Sequence, residues 1–515
     1  MGPARRLAFH FCDSWSLLSS FHRFITNIFW TVFGKVCVQI TLLAISILIT
    51  RSLGKERLGI YATLLVIPAF VRLLNQFGLE TLINKKLPEL DVLDPSGNQG
   101  RYLVRRLLLF RLISSLAFCW LLYIFLPHYL NFIHMPHLLD YRTALILYFM
   151  VITVESLLST LFMTQLRYKI VSIVETASAL LNLVFLGVFI LSGYGIVGVL
   201  YAYILSVCLN IFAYLILSAK DLRGGSVAPE LKEMKHLAWA SYWISLLSFG
   251  LMTQSDILLM NYFHVDHASI GYYHLVTSLG AMAGFVLTGV GPLALSIFSE
   301  VFARESHSGL SRSWHQIMGF SAFLTVPIYV FIFFNAEVLI TFVFGDQFLS
   351  AAPLLAFYIV FLGLSVVLGT HFTVSTLFIL HRRDMAIRST VEGSVLNVGL
   401  NLVFIPAYGV VGALGATGSV MVYMVVRQLF VIQKEMDIRP VIPVIGKCFL
   451  FSIAAIVPTL VLSRFMGSHL IWNGMVYLIA FFTLLGWQKP FTEDHRHLIV
   501  NIYPRLDPWI RFFVS

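Results

Sequence analysis

Charge is scarce in this chain of 515 residues: Lys, Arg, Asp and Glu make up 12%, against 58% apolar residues. Soluble domains carry about 25% charged residues, so the deficit excludes an aqueous fold and makes lipid the solvent. Cysteine is sparse too. Cys12, Cys37, Cys119, Cys208 and Cys448 are scattered without CxxC spacing, which argues against a disulfide frame and against a zinc site. The sequence has no HExxH, GxSxG or Walker loop and no carboxylate pair at useful spacing, so neither an enzyme centre nor a cofactor is expected. Long polar linkers are missing as well. The longest, near residues 85–106 and 219–236, hold only about 20 residues each, too few for a soluble motor domain. Any active movement of a solute must then draw on an ion gradient, the membrane potential or the solute's own gradient. The first 29 residues lack the basic, apolar and small-residue sequence of a removed signal peptide. Phe9, Phe11, Trp15 and Phe21 instead suggest an interfacial segment on the inner leaflet.

What the chain has in abundance is apolar runs of about 20 residues, the length that crosses a hydrocarbon core. About fourteen are expected, over residues 30–50, 59–79, 107–126, 143–164, 171–191, 196–217, 237–262, 270–292, 314–334, 352–379, 386–405, 410–432, 444–462 and 471–487. The net charge of +10 is distributed by topology, not gathered for nucleic acid. With the N-terminus inside, about 25 Lys and Arg fall on inner segments and about 5 on outer loops, which places both termini in the cytoplasm of a multi-pass plasma-membrane protein.

The halves repeat each other. Leu58-Gly59-Ile60-Tyr61 returns 212 positions later as Ile270-Gly271-Tyr272-Tyr273, and Tyr194-Gly195-Ile196-Val197-Gly198 returns after 214 as Tyr408-Gly409-Val410-Val411-Gly412. Around the second match, Leu181-Asn182-Leu183 resembles Leu396-Asn397-Val398. Such duplication is the usual build of secondary transporters, with the substrate between repeats. The expected fold is an all-α polytopic membrane protein: a segment 1–29, an N-lobe 30–218, a cytoplasmic linker 219–236, a C-lobe 237–433, a helix pair 444–487 and a tail 488–515. Two parallel lobes enclose their own cavity, so a monomer suffices.

Ionisable residues inside the spans carry the functional signal, because each costs about 2.5–3.5 kcal/mol at a helix centre. The cations are Lys35, Arg72, Arg111, Arg427 and Lys447, all in cytoplasmic halves of their spans. Lys35 has Gln39 one turn on, and Arg72 has Asn75 and Gln76, so each heads a polar stripe expected to face a wet interior. Arg427 shares a face with Tyr423. Arg111 and Lys447 lie near inner helix ends and are expected to snorkel to the interface. Glu155 and Asp256, near mid-depth, are expected either to pair with these cations or to carry a coupling ion, H+ or Na+. His274 and His371 read as helix-packing donors, and His128, His134 and His137 on the loop 127–142 as incidental and not a metal site. Pro68, Pro292, Gly280 and Gly284 serve either tight packing or bending.

The stretch Arg51-Ser52-Leu53-Gly54-Lys55-Glu56-Arg57-Leu58-Gly59-Ile60-Tyr61, followed by Phe77-Gly78-Leu79, resembles the outer-loop signature of the polysaccharide transporter branch of the multidrug/oligosaccharidyl-lipid/polysaccharide exporter superfamily, as in Wzx-type O-antigen flippases. The resemblance implies a V-shaped two-lobed bundle, a polyprenyl-pyrophosphate-linked oligosaccharide as substrate, and glycan polymerase and glycosyltransferase partners besides membrane lipids. On that reading Arg72, Lys35 and Arg427, with Gln39, Asn75 and Gln76, bind the head group. Three rivals are a multidrug/cation antiporter, which wants a carboxylate where the first span has Lys35; a lipid II flippase, whose arginine-rich early signature is not evident; and a glycan polymerase or ligase, which wants a large outer loop.

Overall fold

A computed structural model describes residues 3–94, 96–165, 167–219, 224–225, 227–228, 232–251, 253–287, 290–466 and 469–488; the side chains of residues 3–35, Lys35 included, lie outside that description, as do the tail 489–515 and much of the expected linker. Among the described residues every element is helical. By length and composition, nine helices among the described residues are able to cross a membrane, or ten if the broken pair Ser241–Leu251 and Gln254–Tyr262 makes one span. The chain is a multi-pass membrane protein. Its apolar side chains sit on the outside as well as the inside: Leu112, Ile113, Leu116 and Trp120 on one helix are all exposed, a surface that only lipid satisfies.

Two compact units form. The first combines residues up to Leu53 with Leu64–Leu246; the second combines Gly54–Thr63 with residues from Leu247 onward. In the first unit, α1 (Pro3–Leu74) is followed by α2 (Leu79–Leu93), α3 (Asn98–Phe132), α4 (Arg142–Thr164), α5 (Tyr168–Leu191), α6 (Gly195–Leu217) and α7 (Lys232–Leu247). Helix α2 is amphipathic. Leu79, Ile83 and Leu87 recur at the 3.6-residue period and pack on Val104, Leu157 and Leu161, while Thr81, Asn84 and Lys85 form its exposed stripe. Beyond it, Asp94 accepts from the Ser96 hydroxyl and, at 2.8 Å, from the Gln99 amide. The Ser96 bond first, and then the Gln99 bond, hold its carboxyl below the ordinary value.

In the second unit, α8 (Thr253–Tyr262) and α9 (His267–Gly284) precede the long α10 (Val290–Phe334), then α11 (Ala336–Phe344), α12 (Ala352–Val367), α13 (Thr370–Ile379), α14 (Arg383–Glu435), α15 (Val441–Met466) and α16 (Leu470–Gln488). Asp266 caps α9 by accepting from the Ser269 amide at 2.9 Å.

The duplicated words turn out to be duplicated geometry. Gly195 and Gly409, matching letters of the second repeat, both take left-handed φ, 54° and 57°, values that cost an L-residue with a Cβ about 1 kcal/mol or more. The first repeat makes a crossing within the second unit. A Cβ on Gly59 would lie 1.7 Å from the His267 carbonyl oxygen, and one on Gly271 would lie 2.4 Å from the Lys55 carbonyl oxygen. Each glycine thus receives the backbone four residues before the other, so that the two helix backbones come into direct contact. Thr63 and Asn261 exchange side-chain contacts at 3.2 Å nearby, and Tyr61 meets His274 edge-on. The signature expected as an outer loop is therefore helix on both sides of one break, at Gly54 (φ 73°, ψ 173°). Expected spans 30–50 and 59–79 join there without a loop, and spans 386–405 and 410–432 join likewise at Gly409 in α14. Gly280 also proves to be a packing position, since a Cβ there would meet the Tyr358 ring at 2.7 Å.

Candidate functional site

Each unit holds its own polar cluster, and the two differ in character. In the first unit the end of α1 is pinned. Arg111 of α3 is only 1% exposed. It donates to the Asn75 carbonyl at 2.5 Å, to the Gln76 carbonyl at 3.4 Å and to Glu80 Oε1 at 2.6 Å, while the Ser156 hydroxyl donates to the same Glu80 oxygen at 3.1 Å. Carbonyls at a helix end run short of partners along the chain, and a guanidinium fork from a neighbouring helix supplies the Asn75 carbonyl here, the Gln76 carbonyl also accepting from the Leu79 amide at 3.1 Å. Arg111 therefore does not snorkel as expected; a half-buried acid and two carbonyls hold it inside. Asn75 departs from the expected wet stripe as well. Its side chain is fully buried and donates to the Ser115 hydroxyl at 3.0 Å.

Arg72 differs from both. It is exposed, in the last turn of α1, and makes no hydrogen bond or ion pair among the described residues. Glu155 and Tyr148 of α4, and Arg111, lie within its electrostatic reach. Glu155 is also close enough to Glu175 of α5 to feel its charge. Gln76 and Gln39 are half-buried. Lys35 lies outside the described side chains.

In the second unit Arg427 does not stand alone. Its Nε lies 3.6 Å from Glu392 Oε2, with both side chains 42% exposed, and the Tyr423 hydroxyl donates to the same oxygen at 3.4 Å. Deeper lies Asp256, at 0% exposure. Tyr273 donates its hydroxyl to Oδ2, Thr417 donates to the same oxygen at 2.6 Å, and the amides of Asn397 and Asn401 reach Oδ1 at 3.1 and 2.8 Å. Asn397 also donates to the Gly250 carbonyl at 2.7 Å, in the 3-10 turn Ser248–Leu251 that interrupts the span between α7 and α8. The partners are neutral, so the expected ion pair with a cation is replaced by hydroxyl and amide donors that stabilise the carboxylate without one. Asn401 Oδ1 is left buried and without a partner. Carboxylate, amide, hydroxyl and carbonyl oxygens converge here, the donor set of a hard cation or a proton rather than of zinc or copper.

Sequence reasoning singled out Asp256 but missed its partners. The signal was present: Asn397 and Asn401 sit one turn apart in an apolar helix, and Asn397 repeats Asn182 of the first half. Asn182 is buried with its Oδ1 unpartnered, and the positions matching Asp256, residues 42–44, are Leu-Leu-Ala. The acid belongs to one repeat only.

A broken span with polar groups at the break, in a chain of repeated membrane-crossing helices, is the build of a transporter-type membrane fold. Residues 48–353, more than half the chain, match the family model described as "Polysaccharide biosynthesis protein", and the chain belongs to that family. Among solved structures it is similar to lipid II flippase MurJ in an inward closed conformation, with a TM-score of 0.69 and 15% identity over 89% of this chain and 97% of that one. An inward-facing multidrug resistance MATE family transporter of the MOP superfamily aligns with a TM-score of 0.64 and 15% identity, covering 79% of this chain and 98% of that one. A MOP superfamily transporter from Pyrococcus furiosus, described as having a binding pocket of reverse polarity, aligns at 0.54 with 14% identity over 83% and 95%. These likenesses establish the fold. A comparison with curated proteins gives no match.

Proposed function

We propose that the chain is a flippase that moves a polyprenyl-pyrophosphate-linked oligosaccharide from the inner to the outer leaflet for surface polysaccharide synthesis. The observation that carries this reading is Arg72: an exposed guanidinium at the end of a membrane helix, in no hydrogen bond or ion pair among the described residues, in a polysaccharide biosynthesis family member. Arginine matches a phosphate with two parallel donors and keeps its charge at every relevant pH. Lys35 and Arg427 complete the head-group site with Gln39 and Gln76, Arg427 exchanging Glu392 for phosphate. Asn75 serves that site indirectly, by fixing the end of α1. Rocking of the repeats presents the head group outward while the polyprenyl tail stays in lipid. Both termini lie in the cytoplasm of a plasma-membrane monomer, and a glycan polymerase and glycosyltransferases act around it.

Arg72→Ala is expected to abolish transfer of a fluorescent undecaprenyl-pyrophosphate-linked saccharide across liposomes while the purified protein keeps its wild-type elution profile. Wild-type transfer by this variant would remove Arg72 from the site.

Asp256 and Glu155 carry the coupling ion, H+ or Na+. Asp256→Asn keeps the shape and loses the charge, so transfer by this variant is expected to stop responding to imposed H+ or Na+ gradients. A response equal to wild type would assign coupling elsewhere.

A further inference from the structure

Helix α7 carries an aromatic ledge that the head-group site does not use. Trp239 and Trp243 are 56% and 45% exposed, with ring centroids 5.7 Å apart and planes at 90°. Between them Tyr242 meets Trp239 at 5.7 Å and Trp243 at 5.9 Å. Tyr242 is itself fixed, stacked on Phe77 at 5.5 Å and donating its hydroxyl to the Leu74 carbonyl at 3.2 Å. The two indoles therefore stand on an anchored ring at the end of α1, two residues from Arg72. Polar groups border the ledge. The Ser241 hydroxyl, next to Tyr242, meets that of Thr81 at 2.6 Å, and Thr81 begins the exposed stripe of α2 that continues with Asn84 and Lys85. Thr164 donates to Asn84 Oδ1 at 2.5 Å.

We propose that this ledge seats the first sugar of the lipid-linked saccharide, with an indole face under the ring and the hydroxyls and amide of Thr81, Ser241 and Asn84 around its edge. A pyranose presents axial C–H bonds on its faces and hydroxyls around its rim. The negative face of an indole attracts such C–H edges, and the fixed polar groups match the rim. Tryptophans that anchor a protein at the membrane surface need no such surroundings: they act singly, with N–H groups among the lipid heads. Here three contacting rings are held by a hydrogen bond and a stack beside an exposed hydroxyl pair and Lys85. Pre-set rings lose little freedom on binding, which favours affinity.

The inference rests on the flippase reading, and its test separates the two. Purified wild type and the Trp239→Ala/Trp243→Ala double variant are titrated calorimetrically with neryl pyrophosphate and with neryl pyrophosphate bearing one N-acetylglucosamine or one galactose. Wild type is expected to bind a glycosylated probe more tightly than the bare one. The double variant should lose about tenfold of affinity for the glycosylated probe and none for the bare one, and Trp239→Phe/Trp243→Phe should recover most of the loss. Equal affinity of both variants for all probes, or an equal loss for bare and glycosylated probes in protein of wild-type elution profile, would overturn the ledge and leave the flippase reading standing. Absence of binding by any probe to wild type would overturn both.

Discussion

Replacing Gly59 by Ala is expected to lower the thermal midpoint of the purified protein more than any other single Gly→Ala change in the described helices. The new methyl would sit 1.7 Å from the His267 carbonyl oxygen and 2.6 Å from its carbon. Those are backbone atoms, which cannot rotate away as a side chain can, so the whole crossing must open. Overpacking costs about 1–3 kcal/mol where side chains can move, and this position exceeds that range. Gly271→Ala meets the Lys55 carbonyl at 2.4 Å and should follow closely. The pair should be strongly non-additive, because a crossing already forced open by one methyl accommodates the second cheaply. Gly399, with nothing within 4 Å of its Cβ position, is the control: Ala there should stabilise α14 by about 1 kcal/mol from helix propensity alone. Thermal unfolding followed by size-exclusion fluorescence decides the matter; a Gly59→Ala midpoint at or above wild type would refute the crossing.

The second large effect is expected at Arg111. Its removal takes the charge partner from Glu80, which is 18% exposed and keeps only the Ser156 hydroxyl, and takes the guanidinium from the Asn75 carbonyl. Breaking a buried pair by deleting one partner costs about 3–5 kcal/mol, because the other charge stays buried and uncompensated. Arg111→Ala should therefore lose folded protein at ordinary temperatures, and Arg111→Lys should rescue little, since one ammonium cannot span a carboxylate and two carbonyls. Arg111→Ala/Glu80→Ala should recover part of the loss. The exposed Arg382–Glu435 pair, 2.6 Å apart, offers the contrast: its removal should leave the thermal midpoint nearly unchanged. A double variant no more stable than Arg111→Ala would show that Glu80 is not the penalty.

The membrane spans and the duplication were legible because apolarity over about 20 residues and repeated words both survive in one dimension. What stayed hidden lies in partners distant along the chain. Arg111 sits few residues inside the expected span 107–126, which suggests an escape to water; the helix runs on to Asn98, and Glu80, 31 positions earlier on another helix, gives Arg111 a reason to stay. Asp256 invites a cation by simple charge counting, yet its neutral donors come from 17 to 161 positions away. Lys55, Glu56 and Arg57 made the signature look like a loop, because polar composition suggests one; the helix continues through it since only Gly54 departs from helical angles. Arg72 was read on the stripe it shares with Asn75 and Gln76, but a stripe gives direction around one helix and not what stands opposite.

The crossing of Gly59 and Gly271 has a bearing on ancestry. Lys55 serves Gly271 as His267 serves Gly59, so position i of one copy touches position j of the other and the reverse, the mark of an isologous contact. A molecule of half this length, carrying one copy of the word, would meet its twin through that same patch. One copy of the word therefore carries both sides of the contact. The copies differ elsewhere: the acid of the second repeat has Leu-Leu-Ala at the matching sequence positions of the first, a difference that two identical half-length chains could not show.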